Sequence, residues 1–340
     1  MAITHTHGSD ASHTHDDHGH GHGDGHGHDH HTPGFIGKYI FSFDHKTIGI
    51  QYLLLAMFMS LIGVGLSFWF RAQLAWPGKE MMTPEQYVMA VTMHGTIMIF
   101  FVVSAALSSG LGNLAIPLQI GARDMAFPLL NMLSFWTNVP GAILMIASFF
   151  VEGGASAGGW TAYPPLSALR NAGAGTHLGT TLWLLGIAMF IVSFTLGGLN
   201  YTATILNLRA RGMNLMKMPL SVWTWFIATL LGLLSFPALT AGAIMLLLDR
   251  HGGTSFFLPS GLIVSGTPMA NVGGTPLLFQ HLFWFLGHPE VYVLVLPAIG
   301  IAFEVIPAFG RRPVHGYKWS VYGLIIIAFL GMIVWGHHMF

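Results

Sequence analysis

Residues 276–308 read PLLFQHLFWFLGHPEVYVLVLPAIGIAFEVIPA. The stretch holds no Lys, Arg or Asp, and its only acids are Glu290 and Glu304. It is longer than the roughly 20 apolar residues that cross a bilayer core, so it reads as a membrane span, tilted or extended past the lipid. Six more such stretches lie near 47–70, 88–118, 126–151, 177–208, 219–248 and 317–336. The composition agrees. The 340 residues are 53% hydrophobic and 8% charged, against about 25% charged in soluble domains. The fold class is therefore all-α, a polytopic membrane helix bundle with seven transmembrane helices. The chain has no cysteine, which excludes disulfides and thiolate metal ligands on it. A formal net charge of +0 gives no sign of nucleic acid as a partner; membrane lipid is one by construction.

The organisation is a tail, residues 1–34, followed by one membrane domain, residues 35–340. Residues 1–31 hold eleven of the twenty histidines, five aspartates and no Lys or Arg. Such a segment has little to bury and reads as disordered. It is no signal peptide, which needs a basic start and an apolar run. Weak, exchangeable binding of zinc, copper or nickel fits its composition, and so does a solvated tail without a specific role. Lys38, Lys46, Arg123, Arg209, Arg211, Lys217, Arg311, Arg312 and Lys318 fall on one side of the spans, and Arg71, Lys79, Arg170 and Arg250 on the other. The excess places the first side, with the N-terminus, in the cytoplasm. The loops 152–175 and 251–275 are too long and too aromatic for simple turns and read as packing over the outer face.

An ionisable side chain inside a span costs about 2.5–3.5 kcal/mol on the insertion scale and by default marks function. The candidates are His94, His177, His281, His288, Glu290, Glu304, His337 and His338. His94 alone reads either as a histidine hydrogen-bonded to a neighbouring helix or as an axial haem ligand. Arg71, at the outer end of the first span, reads as a snorkelling arginine or as a partner of a polar haem substituent. His288 and Tyr292 are one helical turn apart on one face. Pro289 between them removes a backbone donor. Glu290 is an acid in an apolar wall, the usual form of a proton-relay element. His281 lies near the same face but reads better as a packed histidine. His337 and His338 fall at the outer end of the last span, level with His288. Three imidazoles with an open position suit copper, and zinc also fits the ligand type; a phenol beside them points to redox chemistry. Asn113, Asp124 and Asn131 lie near the loop between spans two and three, on the opposite side. They read as a solvated loop acid beside two amides, or as the mouth of a proton channel with Glu290 further in.

The segments HGTIMIFF (94–101), QIGARDMAFP (119–128), NMLSFW (131–136), GGWTAYPPL (158–166), QHLFWFLGHPEVYVLVLP (280–297) and VWGHHMF (334–340) together resemble subunit I of the haem–copper oxygen reductases, of the cytochrome c oxidase type. The resemblance runs from about Phe43 to Phe340 and leaves out the tail. By it, His94 is an axial ligand of a low-spin haem, type a in such an enzyme, and Arg71 lies at that haem's formyl group. His288, His337 and His338 ligate copper. Tyr292 becomes linked to the first copper histidine and supplies an electron and a proton. Glu290 is the branching acid of a proton channel entered at Asp124 and lined by Asn113 and Asn131, and Trp284 packs near the metal centre. The family continues for several helices past the double histidine, within a twelve-helix core. These carry the second low-spin ligand, the ligand of a high-spin haem, a lysine channel and a magnesium site. The chain is thus expected to be an N-terminal portion, catalytically incomplete alone, with a split gene as the alternative.

The implied function is that of a terminal respiratory oxidase subunit in a bacterial-type inner membrane. It reduces dioxygen to water with coupled proton pumping. Subunit II carries the electron-entry site, subunit III is a further partner, and cytochrome c is the donor. Quinol-using relatives carry an arginine and an aspartate where this chain has Ile62 and Leu66. The competing readings are a nitric oxide reductase-like member, against which Tyr292 and Asp124 speak, a metal-ion transporter, and a non-functional truncated product.

Overall fold

The structure is a computed structural model that describes residues 34–173 and 175–339. Residues 1–33, and with them the expected disordered tail, lie outside the described residues. Six helices are long and apolar enough to cross a membrane: α1 His45–Ala75, α2 Pro84–Ile120, α3 Pro128–Phe150, α4 Leu178–Asn207, α5 Leu220–His251 and α6 Pro276–Gly310. The seventh expected span is the shorter apolar helix α7, Tyr317–Gly331. It ends earlier than the apolar run suggested, and a 3-10 turn over Val334–Met339 follows. The helices pack as neighbours in a bundle, α3 along α4, α4 on α5, α5 along α6, and α7 against both α5 and α6.

Local chemistry sets where the helices begin and end. Asp44 caps α1, its Oδ1 accepting from the backbone N–H of Lys46 at 2.7 Å and of Thr47 at 3.2 Å, which satisfies donors a helix start leaves open. Thr83 and Gln86 form a reciprocal capping box at the start of α2, and proline opens α2, α3 and α6, where its missing N–H costs nothing. Gly121, at φ 74°, ends α2 in a left-handed residue. The middle of α2, Ile97–Gly110, is π-helical, a widening found most often where helices carry function. The Ser104 hydroxyl lies there, 2.7 Å from the Ile99 carbonyl.

The nine cations gather at the end where α1 begins: Lys38 before α1 and Lys46 in its first turn, Arg123 after α2, Arg209, Arg211 and Lys217 between α4 and α5, Arg311 and Arg312 after α6, and Lys318 at the start of α7. At the other end the long loops cover the bundle, as their length and aromatic content implied. Trp160 sits edge-on to Trp284 at 5.7 Å, and Phe257 is buried against Phe279 at 5.4 Å. Within the second loop, β1 Ile263–Val264 and β2 Thr267–Pro268 pair antiparallel. Arg250, on the loop side at the end of α5, is buried and donates to the carbonyls of Ser167, Leu169, Thr176 and His177 at 2.6–2.9 Å. It ties the first of these loops to α5.

α5 and α6 approach closely because Gly300 has no side chain. A Cβ there would collide with Thr224 Oγ1 and lie 2.9 Å from Ser221 Cα. Overpacking of this kind costs about 1–3 kcal/mol. Gly300→Val is expected to lower the yield of folded protein and its midpoint in a thermal scan by circular dichroism. An unchanged midpoint would mean that the two helices are not held at this distance.

Candidate functional site

α6 presents His288 and Tyr292 one turn apart, their ring centroids 4.7 Å from each other. The 3-10 turn after α7 brings His337 and His338 to the same point. The ligand atoms of His288, His337 and His338 lie within 4.8 Å of one another. His288 Nδ1 is 3.1 Å from His338 Nε2, and two imidazole nitrogens at that distance either share a proton or share an ion. His288 is buried, and its Nε2 has no hydrogen-bond partner. A buried polar atom left without a partner calls for one. Three neutral nitrogens with no thiolate and no carboxylate suit a borderline divalent or cuprous ion, so the donor set fits copper.

The surroundings hold these groups in place. Trp284, one turn before His288, stacks on His338 at 3.9 Å with 8° between the planes. Its indole N–H donates to the Tyr163 hydroxyl of the outer loop, which limits rotation of the indole. Tyr292 lies over Gly331, where a Cβ would come within 2.8 Å of its ring. Trp284 and Tyr292 therefore both meet the histidine cluster.

Glu290 is buried, and its Oε1 lies 2.8 Å from Ser104 Oγ. Its Oε2 is buried without a partner. Ser104 has one proton and two neighbours, the Ile99 carbonyl and Glu290. When the hydroxyl donates to Ile99, its lone pair is free to accept from a protonated Glu290. The site thus accommodates both states of the acid.

Nearer the cation-rich end, Asn131 Nδ2 donates to Asn113 Oδ1 at 2.6 Å. Asn113 Nδ2 donates to the Tyr201 hydroxyl and to the Ser109 carbonyl, both at 2.8 Å. The Tyr52 hydroxyl lies 3.0 Å from Ser134 Oγ and 3.1 Å from Ser193 Oγ. Between these groups is a cavity of about 30 Å³, lined by Tyr52, Ser108, Asn113, Ser134, Tyr201 and Val293 among others. A cavity of that size has room for roughly two waters, and the hydroxyls and the amide on its wall would give them partners. Ser108 donates to the Val293 carbonyl at 3.1 Å; it sits one turn from Ser104, and Val293 three residues from Glu290. Asp124 is half-buried in the turn before α3, its Oδ1 accepting from the Met125 N–H at 2.7 Å. Its side chain makes no direct hydrogen bond to the two amides, so the link from Asp124 to Asn131 calls for water.

Sequence reasoning missed Tyr52, Ser104, Ser134, Ser193, Asn200 and Tyr201. Asn200 Oδ1 caps Phe127 N–H at 2.8 Å while its Nδ2 is buried without a partner. An asparagine in the apolar run GGLNYTATI is a visible signal, but unlike Asn113 and Asn131 it has no acid near it in sequence. The hydroxyls carry no such signal, because serine and tyrosine occur throughout membrane helices.

His94 Nδ1 lies 2.8 Å from the Gly63 carbonyl. Donation there fixes the tautomer and leaves Nε2 with its lone pair, the arrangement a metal-ligating imidazole needs. Phe70 stands edge-on at 5.5 Å, and Arg71 follows it, exposed at the end of α1. Three other candidates lie apart from the cluster. His177 precedes α4, its Nδ1 2.8 Å from Asn171 Oδ1. His281 is exposed, edge-on to Trp335 at 5.1 Å. Glu304 accepts from the Ser221 hydroxyl at 2.9 Å, at the opposite end of α6.

Comparison with known proteins gives the family. The family described as Cytochrome C and Quinol oxidase polypeptide I matches residues 47–340. The alternative cytochrome c oxidase subunit 1 of Bradyrhizobium diazoefficiens is 47% identical over 304 residues, which is 89% of this chain and 51% of the relative. Cytochrome c oxidase subunit 1 of Synechocystis is 44% identical over 302 residues, covering 89% and 51%. That of Bacillus subtilis is 43% identical over 302 residues, covering 89% and 46%. The chain spans about half the length of the curated relatives it matches. With six membrane-capable helices, a shorter apolar seventh and a matched region from residue 47 onward, it belongs to the subunit I family of the haem–copper respiratory oxidases.

Proposed function

We propose that this chain forms the part of a terminal oxidase that holds copper at the oxygen-reducing centre, supplies one axial ligand of the low-spin haem, and conducts protons to that centre. The observation that carries this is the meeting of His288, His337 and His338 within 4.8 Å, with Tyr292 against His288 and Glu290 buried two residues away. His288, His337 and His338 would hold copper, and His94 Nε2 the low-spin haem. When bound, copper and the haems supply oxygen binding and electrons. Tyr292 carries a hydroxyl proton at the same place, its ring 4.7 Å from that of His288. Glu290 holds a proton on its carboxyl and exchanges it through Ser104 and water. Asp124 takes protons from the solvent at the cation-rich face. Asn131 and Asn113 orient water by donating and accepting at their amides, and the Tyr52 and Ser134 hydroxyls border the cavity above them.

The reading extends to the setting: a bacterial inner membrane, the cation-rich end in the cytoplasm by the excess of Lys and Arg, and assembly with subunits II and III. Cytochrome c is the proposed donor. Ile62 and Leu66, where a quinol user would have charged groups, pack into the apolar core. The domain division remains a tail and one membrane unit, residues 35–340.

A reduced-minus-oxidised optical spectrum of the assembled complex, with copper counted by mass spectrometry, tests this. A haem α-band and copper bound to the complex are expected; metal flux without haem would favour a transporter instead. Asp124→Asn in the assembled enzyme is expected to slow proton uptake by about tenfold, the effect of adding about 1.4 kcal/mol to the limiting barrier. Proton release measured on vesicles after an oxygen pulse is the readout. Unchanged pumping would remove Asp124 from the path.

A further inference from the structure

We infer that residues 35–43, between the tail and α1, form an anchor seated in the headgroup layer of an anionic lipid leaflet. Phe35, Ile36, Tyr39, Phe41 and Phe43 are between 47% and 71% exposed. Five large apolar side chains within nine residues make a patch that water does not favour. The segment is nonetheless fixed in place. Gln51 Nε2, on α1, donates to the carbonyls of Tyr39 and Ile40 at 2.7 and 2.8 Å. Trp136 Nε1, on α3, donates to the Ile40 carbonyl at 3.0 Å, and its ring lies 4.8 Å from Phe41. The backbone carbonyls of Tyr39 and Ile40 are thus held from the protein side, while the apolar side chains stay largely exposed.

Two further observations identify the occupant. The segment runs directly into α1, where Ile50, Leu54, Phe58 and Leu61 are all exposed and recur at helical spacing, a stripe suited to lipid. It also carries Lys38 and Lys46, both exposed, while the nearby carboxylate of Asp44 is engaged in capping α1. Lys38 Nζ stands 5.1 Å from the Tyr39 ring centroid, so cation and aromatic ring share one level. Aromatic rings with basic side chains at a span's end are the pattern of the membrane–water interface, and anionic headgroups complement the lysines. The patch lies at the end of the bundle where the nine cations gather. Seated there, it would fix the depth at which the His-rich tail leaves the membrane.

Because the chain has no cysteine, one introduced thiol reports alone. The full chain is reconstituted in nanodiscs of phosphatidylcholine and phosphatidylglycerol, carrying either Ile36→Cys or Arg211→Cys, the latter an exposed loop position at the same end. Equal helix content by circular dichroism shows that both variants are folded. Each is labelled with bimane, and quenching by headgroup-proximal nitroxide lipid is compared. The expected result is quenching at position 36 at least about twofold stronger than at 211, and stronger with phosphatidylglycerol than without. Equal or absent quenching at 36 overturns the proposal. A water-soluble maleimide then tells which alternative holds: fast reaction means that the segment faces water, slow reaction that protein covers it.

Discussion

Tyr292→Phe in the assembled oxidase abolishes oxygen reduction and leaves the metal sites in place. The substitution removes one oxygen atom and its proton and nothing else. The ring keeps its 4.7 Å contact with the His288 imidazole and its close packing on Gly331, so the three histidines keep their positions. His94, in α2 and bonded to Gly63, is independent of the change. A positioned proton donor contributes about 10²–10⁴ in rate, and oxygen uptake with reduced donor is expected to fall by that factor. The haem α-band and the copper content should stay at the wild-type level. Oxygen uptake near the wild-type rate would show that the phenol is a packing residue and that its proximity to His288 is incidental. Loss of copper together with activity would show instead that the hydroxyl supports the triad.

The histidine cluster was legible because its parts are rare. A histidine, an acid and a tyrosine within five residues of an apolar run have few bland explanations, and HH at a span's end adds a second signal at the right level. Chain direction alone put His337 and His338 level with His288, and the structure brings all three together. The end of α7 was less legible. Hydropathy runs on through residue 336, while the helix stops at Gly331 and a tighter turn carries the histidines. Apolar composition sets how deep a segment lies but not how many residues it takes per turn. The same limit hid the π-helical stretch of α2, which places Ser104 against Glu290 from a segment 186 residues away. The polar path was half visible. Asp124, Asn113 and Asn131 stand out as types, but Tyr52, Tyr201 and the serines become meaningful only when four helices converge on one cavity.

Glu290→Gln separates a proton-carrying role from a structural one better than any larger change. Glutamine has nearly the same shape as a neutral glutamic acid, and its carbonyl can still receive the Ser104 hydroxyl that now lies 2.8 Å from Oε1. The amide places a donor where Oε2 is buried without a partner, a cost of about 1–3 kcal/mol if no water answers it, so the yield of folded variant is measured beside its turnover. If Glu290 served only to satisfy Ser104, the variant would turn over normally. As a relay it must release and regain a proton in each cycle, and an amide cannot. Turnover is then expected to fall by about 10² or more, with haem and copper retained and with electron entry still able to reduce the metal centres. Glu290→Asp restores the titrating group on a side chain one methylene shorter and should recover part of the rate, because a water can bridge the gap to Ser104. The pair of variants measured side by side, by oxygen uptake and by proton release, gives the decisive contrast. Rescue by Asp but not by Gln requires a proton on this carboxyl, whereas equal activity in both would leave Glu290 as packing and move the relay to the hydroxyls around the cavity.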